Sequence, residues 1–519
     1  MRWKIGISRR AIWLALLLAA ILPVGTLVGA DDPVAIEYHC AGTSMQVSNT
    51  NLVALNKIIT LPSTAKFREL VLQRLSGLAA SSLHLGTNWG IVSSFQPIWS
   101  DVLRAESMGT IGKTAVGAGS FVLALRLDEK PADVWRANLA KAFGQPGEKF
   151  VAEECEGLRW KRDGSNSFWI VPSHGWLLAG LGDDFSALRA EYLRKLKHQG
   201  RPGAELKDNW LEAQVNLAEA GFVLPDWAQL LKPARVSITM AEKAHHFRTE
   251  ARLLYPSAVA WNAADWHFPT QHMQSPLDSF TVAQDVGAFL NVSSNFDHVA
   301  GGLLTNQLFA WAMGEMPLQT YVAWPVASGS NAIDELSTTA PAFLNPTLKK
   351  LNGSELVWQP RFRRLYCPNL GIGSPDLSAV EDNGRSFLLS TMFPISPGDK
   401  PAPEELLKHV EGGTNLIYYD WEMTGTRLQE WRLLGDVLFK QPVVPTPELA
   451  MAHGIEEKWF NGLRPLGGNS ITQATRVAPN EVSIVRNSPV GFTAFEIYLL
   501  TDWMASAGFH STNSPAAPK

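Results

Sequence analysis

The chain has 519 residues, with 45 Lys and Arg against 49 Asp and Glu, 46% hydrophobic and 18% charged. That balance fits a folded chain with ample core and excludes intrinsic disorder. The formal charge of −4 and the lack of any block of like charge exclude nucleic acid as the expected partner.

The N-terminus points to export. Arg2, Lys4, Arg9 and Arg10 precede the apolar run Ala11 to Leu22, and Val28 and Ala30 are small residues where a signal peptidase needs them. Residues 1–30 are expected to be a signal peptide cut after Ala30, which moves the formal charge to −8. The rival is an N-terminal anchor, because 11–30 is an uncharged stretch of the length that spans a bilayer. Membrane contact is expected only through 11–30, if the leader is kept. The expected location is the periplasm or cell envelope.

Cys40, Cys155 and Cys367 are widely spaced, allow one disulfide at most and have no metal-ligand spacing. A large core, not a covalent framework, is expected to carry stability.

In chain order, Ser63 is the expected N-cap of a helix reaching about Leu78. Ser120 to Leu127 reads as a strand and Val134 to Phe143 as a helix. Lys149 to Arg162 and Ser167 to Gly180 read as two strands joined at 163–166, and Asp183-Asp184 as the start of a helix to about Lys197. Val236 to Tyr255 alternates like one or two strands. Further on come a strand Asn415 to Met423, helices Arg427 to Phe439 and Pro447 to Asn461, a strand pair across Ala478–Glu481 and a helix Val490 to Ala507.

The pattern implies an α+β fold of two domains with antiparallel sheets flanked by helices. The expected divisions are an N-terminal domain 31–258, a junction 259–281, a C-terminal domain 282–509 and a disordered tail 510–519. Ser386-Phe387-Leu388-Leu389 echoes Ser120-Phe121-Val122-Leu123, and Lys400-Pro401-Ala402 echoes Lys130-Pro131-Ala132. Such likeness fits either a diverged duplication or shared local grammar.

The leader, the helix start Leu61-Pro62-Ser63-Thr64, the Lys-Pro-Ala helix starts and the segment Ser275-Pro276-Leu277-Asp278-Ser279-Phe280-Thr281 together resemble a group of uncharacterised exported bacterial proteins. That group has no assigned activity, so the resemblance implies export and brings no catalytic residue.

Candidate chemistry is sparse. Gly112-Lys113-Thr114 lacks the earlier glycine of a phosphate loop, the place being Ser107. Ser63-Thr64-Ala65-Lys66 matches the S-x-x-K of penicillin-recognising enzymes, with Ser63 as nucleophile and Lys66 beside it, but the companion K-T-G is missing and Ser293-Ser294-Asn295 is in the wrong chain order. Tyr418, Asp420 and Glu422 share one strand face, with the carboxylates about 7 Å apart, a separation that suits an inverting glycosidase; the bland alternative is a solvated face opposite buried Tyr419, Trp421 and Met423. His245 and His246, adjacent on an expected strand, would point to opposite faces, and neither they nor His267 and His272 have zinc spacing. No metal or cofactor is implied. Trp261, Trp266, His267 and Phe268 form an aromatic cluster at the junction and are the candidate ligand-binding residues. The resulting expectation is an exported envelope protein that binds or scaffolds an unknown ligand or protein without catalysis. The alternative is an envelope hydrolase using Ser63/Lys66 or Asp420/Glu422.

Overall fold

A computed structural model describes residues 34–505 except 44–51, 84, 86–87, 114–118, 128, 162–166, 183–185, 220–232, 287–305, 315–318, 369–372, 394–402, 414 and 439–446. The expected leader 1–30, the tail 510–519, the turn 163–166, Asp183-Asp184, Ser293–Asn295 and Lys400–Ala402 lie outside the described residues.

The first ten strands are β1 (Val34–Cys40), β2 (Ser107–Lys113), β3 (Gly119–Arg126), β4 (Glu148–Ala152), β5 (Cys155–Trp160), β6 (Phe168–Ser173), β7 (Trp176–Leu181), β8 (Leu211–Asn216), β9 (Arg235–Lys243) and β10 (His246–Leu254). The next ten are β11 (Leu277–Gln284), β12 (Gln307–Met313), β13 (Thr320–Val326), β14 (Val357–Gln359), β15 (Arg364–Tyr366), β16 (Asp376–Asp382), β17 (Arg385–Thr391), β18 (Leu416–Met423), β19 (Asn469–Ala478) and β20 (Glu481–Ser488). The helices are α1 (Val53–Ile59), α2 (Pro62–Ser82), α3 (Trp89–Arg104), α4 (Glu129–Phe143), α5 (Ser186–Gln199), α6 (Gly329–Asn352), α7 (Glu404–Glu411), α8 (Thr424–Leu438), α9 (Pro447–Leu463) and α10 (Ala494–Ala505).

Among the described residues all strand pairs are antiparallel, and together they make one 20-stranded sheet. Following the pairs from β4 gives β4-β5-β6-β7-β3-β2-β1-β8-β9-β10 and, across the β10–β20 pair, β20-β19-β18-β11-β12-β13-β17-β16-β15-β14. The second run is the first in mirror order, with each strand number raised by ten. Helices fall in step: α4 follows β3 as α6 follows β13, and α5 follows β7 as α7 follows β17. The central register also survives exchange of the halves. With His246 of one hairpin matched to Glu481 of the other, the pairs Phe247–Ser488 and Leu253–Val482 become images of each other.

The short sequence echoes do not follow this order. Ser120–Leu123 lie on β3 and Ser386–Leu389 on β17, whose counterpart by order is β7.

Helices cover both faces of the sheet. Val92, Phe95 and Ile98 of α3 and Trp135 and Leu139 of α4 bury Leu125, Trp160, Phe168 and Leu177, while Leu188, Tyr192 and Leu196 of α5 pack with Val122, Trp169 and Leu178. In the second half, Leu407 and Val410 of α7 join Phe280, Phe309, Trp311, Tyr321 and Tyr419. Phe67 and Leu70 of α2 pack with α9 and α10, and Phe67 stacks on Trp459 at 4.1 Å, so one helical core spans both halves. No helix among the described residues is long and apolar enough to cross a membrane.

Several local expectations are corrected. The two long strands 149–162 and 167–180 are four short ones, turned at Glu153-Glu154 (φ 44 and 68) and His174-Gly175 (φ 50 and 76). Two successive positive φ values make the tight hairpin that matches strand twist. Ala244 and His245 form another such turn (φ 50 and 64), so His245 is not on a strand. Helix α2 starts at Pro62 with Leu61 as an N-cap that makes no side-chain bond; proline fits the first helical position because its missing N–H would be unbonded there. Helix α10 starts at Ala494, not Val490, because Thr493 and Glu496 form a reciprocal cap: the Glu496 N–H donates to Thr493 Oγ1 (3.3 Å) and the Thr493 N–H to Glu496 Oε2 (2.8 Å). All three cysteines are free thiols.

Candidate functional site

The junction binds the second half as an extended strap. The Asn262 N–H donates to Asp285 (2.9 Å), the Ala264 N–H to Gln284 (3.4 Å), the His267 N–H to Gln307 (3.2 Å) and the Gln271 N–H to Asp382 (2.7 Å). Phe268 is buried and Trp266 stacks on it at 6.3 Å, both against Phe309. Trp261 packs beside Tyr255 and Ile417. Three of the four candidate binding residues thus hold the strap with their rings, and His267 holds it with its backbone.

Ser63 lies in the first turn of α2, with Lys66 exposed. A Cβ placed on Gly462 of α9 would come within 2.7 Å of Ser63 Oγ, so the hydroxyl faces packed helix. Its neighbour Thr64 donates to the Ile58 carbonyl (2.7 Å) and accepts the Trp459 indole N–H (2.9 Å).

Asp420 and Glu422 share a face of β18, and that face is covered. Glu422 is buried, whereas Met423 is 41% exposed, the reverse of a solvated acidic face. Opposite them stand Thr281 and Ser279 of β11 and Thr472 and Ser470 of β19, and α8 lies across β11 and β18. Thr281 Oγ1 donates to Asp420 Oδ1 (2.6 Å). Glu422 Oε1 accepts the Ala494 N–H at the start of α10 (2.7 Å) and the Thr424 hydroxyl (2.9 Å). Burial, with a push from Asp420 and against these bonds, raises the Glu422 carboxyl to about 7. Burial also raises Asp420, although Thr281, Arg486 and Arg427 pull it back.

Two further carboxylates complete the cluster. Glu430 of α8 is buried and paired with Arg427, whose guanidinium lies over the Trp431 ring at 5.4 Å. Asp278 is 1% exposed, and its carboxyl group lies against that of Glu430. Burial raises Glu430 well above the usual carboxylate range; Arg427 opposes this and Asp278 adds to it. Beside these groups is a cavity of about 300 Å³ whose walls include Ser279, Thr281, Ala310, Arg427, Glu430 and Trp431. An apolar-walled hollow with convergent hydroxyl and charged groups is the common form of a small-molecule site.

The first half carries the same positions with different chemistry. Ile36 pairs with Val215 and Tyr38 with Ala213 where Ser279 pairs with Glu422 and Thr281 with Asp420. Ile36, Tyr38, Ala213 and Val215 form an apolar cluster. The sequence reading found Asp420 and Glu422 but missed Asp278, Arg427 and Glu430. Asp278 carried one signal: it interrupts a strand segment with a charge.

No family model and no curated protein matches the chain. Among solved structures, it is similar to crystal form I of TP0453, at 9% identity and a TM-score of 0.20, over 47% of this chain and 99% of that one.

Proposed function

We propose that this is an exported cell-envelope protein that binds a small ligand without catalysis, built by duplication of a ten-strand unit, with the ligand seat under α8 in the second unit. The observation that carries the reading is the contrast between matched positions. The first half builds the same strand pairs with Ile36, Tyr38, Ala213 and Val215, so the fold does not require Ser279, Thr281, Asp420 and Glu422. Buried polar groups cost stability, and groups that a fold can do without are the ones a binding site retains. Catalysis is less well supported. Asp420 and Glu422 are engaged by Thr281, Thr424 and the Ala494 N–H, and Ser63 faces Gly462. The basic, apolar leader supports export, and the paired order of strands supports duplication.

Native mass spectrometry of the protein purified from the envelope fraction of a bacterial host tests this. The reading expects a bound non-protein mass on the wild type that is absent from Ala310→Phe, whose ring fills the cavity. A bare wild-type chain, or the same mass on both proteins, overturns it.

A further inference from the structure

The cavity beneath α8 separates that helix from the sheet. Arg427, Glu430 and Trp431 of α8 stand on one side of it, and Ser279 and Thr281 of β11 with Ala310 of β12 stand on the other. Beside it an acid pair crosses from sheet to helix: Asp278, at the bulge of β11, lies carboxyl to carboxyl against Glu430, and both are buried. Ionised carboxylates only accept hydrogen bonds, so these two can bond each other only while a proton sits between them. Burial holds that proton on Glu430; Arg427, paired with Glu430 on the same helix, opposes it and Asp278 adds to it. The start of α8 is fixed independently, because the Thr424 N–H donates to the Gly468 carbonyl (3.0 Å) and the Gly425 N–H to the Gly467 carbonyl (3.1 Å). Glu430 lies about a turn and a half beyond that anchor.

We propose that the proton between Asp278 and Glu430 is a latch on this cavity: with it in place α8 stays on β11 and the cavity is shut, and with it gone the middle of α8 parts from β11 and the cavity opens. Without the proton two like charges face each other in a buried gap, which costs more than either charge alone. The surrounding groups do not relieve this. Arg427 acts on Glu430, Asp420 and Glu422 alike, so the proton supplies the charge that the guanidinium cannot. On β18, Asp420 and Glu422 are held by Thr281, Thr424 and the Ala494 N–H. Arg486 of β20 and Glu496 of α10 pair with each other (2.7 Å), and Arg432 of α8 pairs with Glu457 of α9 (3.0 Å). Opening releases the proton, so it becomes easier as pH rises from the ordinary carboxylate range past neutrality. As regulation of the ligand seat the latch rests on the reading given above; the latch itself is a property of the chain alone.

The test is hydrogen–deuterium exchange of the full chain, with no ligand added, at pH 5.5 and pH 8.5. After correction for intrinsic exchange, the protection of amides 428–434 should fall about ten- to thirtyfold more than that of α4 in the first half, which reports global unfolding. Asp278→Asn, whose amide donates to Glu430 without a shared proton, should shrink that excess, and so should Glu430→Gln. Equal losses in α8 and α4 of the wild type overturn the latch, as does an undiminished excess in either variant that folds. The exchange result and the bound mass are read separately, so a failed latch leaves the ligand seat standing and an unoccupied seat leaves the latch standing.

Discussion

Ala35 and Asp278 occupy the same bulge in the two halves of the sheet. Each is the residue skipped where the register shifts, between Val34 and Ile36 on β1 and between Leu277 and Ser279 on β11. Each is 1% exposed. A bulge bends a strand and redirects a side chain, and here the same bend places a methyl group in one half and an acid against Glu430 in the other. Backbone geometry therefore explains the bulge and does not explain the acid.

Stability should fall as pH rises from about 4.5 to 8. Glu422 has a folded value of about 7 against an ordinary 4.5, so the folded chain holds a proton that the unfolded chain releases. Its contribution is full below 4.5 and lost as pH climbs through 7, an effect of about 3 kcal/mol. Urea unfolding at pH 5 and pH 8 should show the decline, and Glu422→Gln should reduce it, leaving the part that raised Glu430 contributes. A wild-type stability that rises over this interval would contradict the burial of Glu422 as an acid.

Glu106→Ala should destabilise the first half by about 2–4 kcal/mol, because it strands buried His39 and removes the main partner of Arg201. Burial alone would raise the Glu106 carboxyl, but the bonds from His39, Arg201 and Arg126 outweigh it and hold it below the usual range. The stabilisation is accordingly present above the ordinary carboxylate value and lost as pH falls through the lower folded one. Denaturant midpoints at pH 7 and pH 3 should differ less in the variant than in the wild type.

Ser63→Ala should change unfolding free energy by less than about 0.5 kcal/mol, since Leu61 and not Ser63 caps α2. A fluorescent β-lactam should fail to label the wild type. Labelling that disappears in Ser63→Ala would revive the serine–lysine hydrolase.

The legible part of this fold was its local grammar. Alternation located β9 and β10, and a polar break at Pro479-Asn480 located the β19–β20 hairpin. The turns at Glu153-Glu154 and His174-Gly175 were not legible, because Glu and His rarely adopt positive φ and neither pair carries the Asn-Gly or Asp-Gly signal. The acidic face of β18 was visible as alternation, but its burial was not, since the covering helices α8 and α10 come later in the chain and their packing is a long-range property. The matched order of the halves was hidden for a related reason. It resides in pairing registers such as Cys40–Leu211 and Ala283–Tyr418, whose residues differ in chemistry.

The most direct test of the central claim, that the second half keeps its buried acids at a cost to folding, is the unfolding free energy of Asp278→Ala, which installs the residue the first half has at that bulge. Removing one of two buried acids that crowd each other should stabilise the protein by about 1–3 kcal/mol at pH 7, seen as a higher denaturant midpoint with an unchanged slope. A loss of stability of that size would mean that Asp278 is a structural residue, and the account of a binding seat beneath α8 would fail.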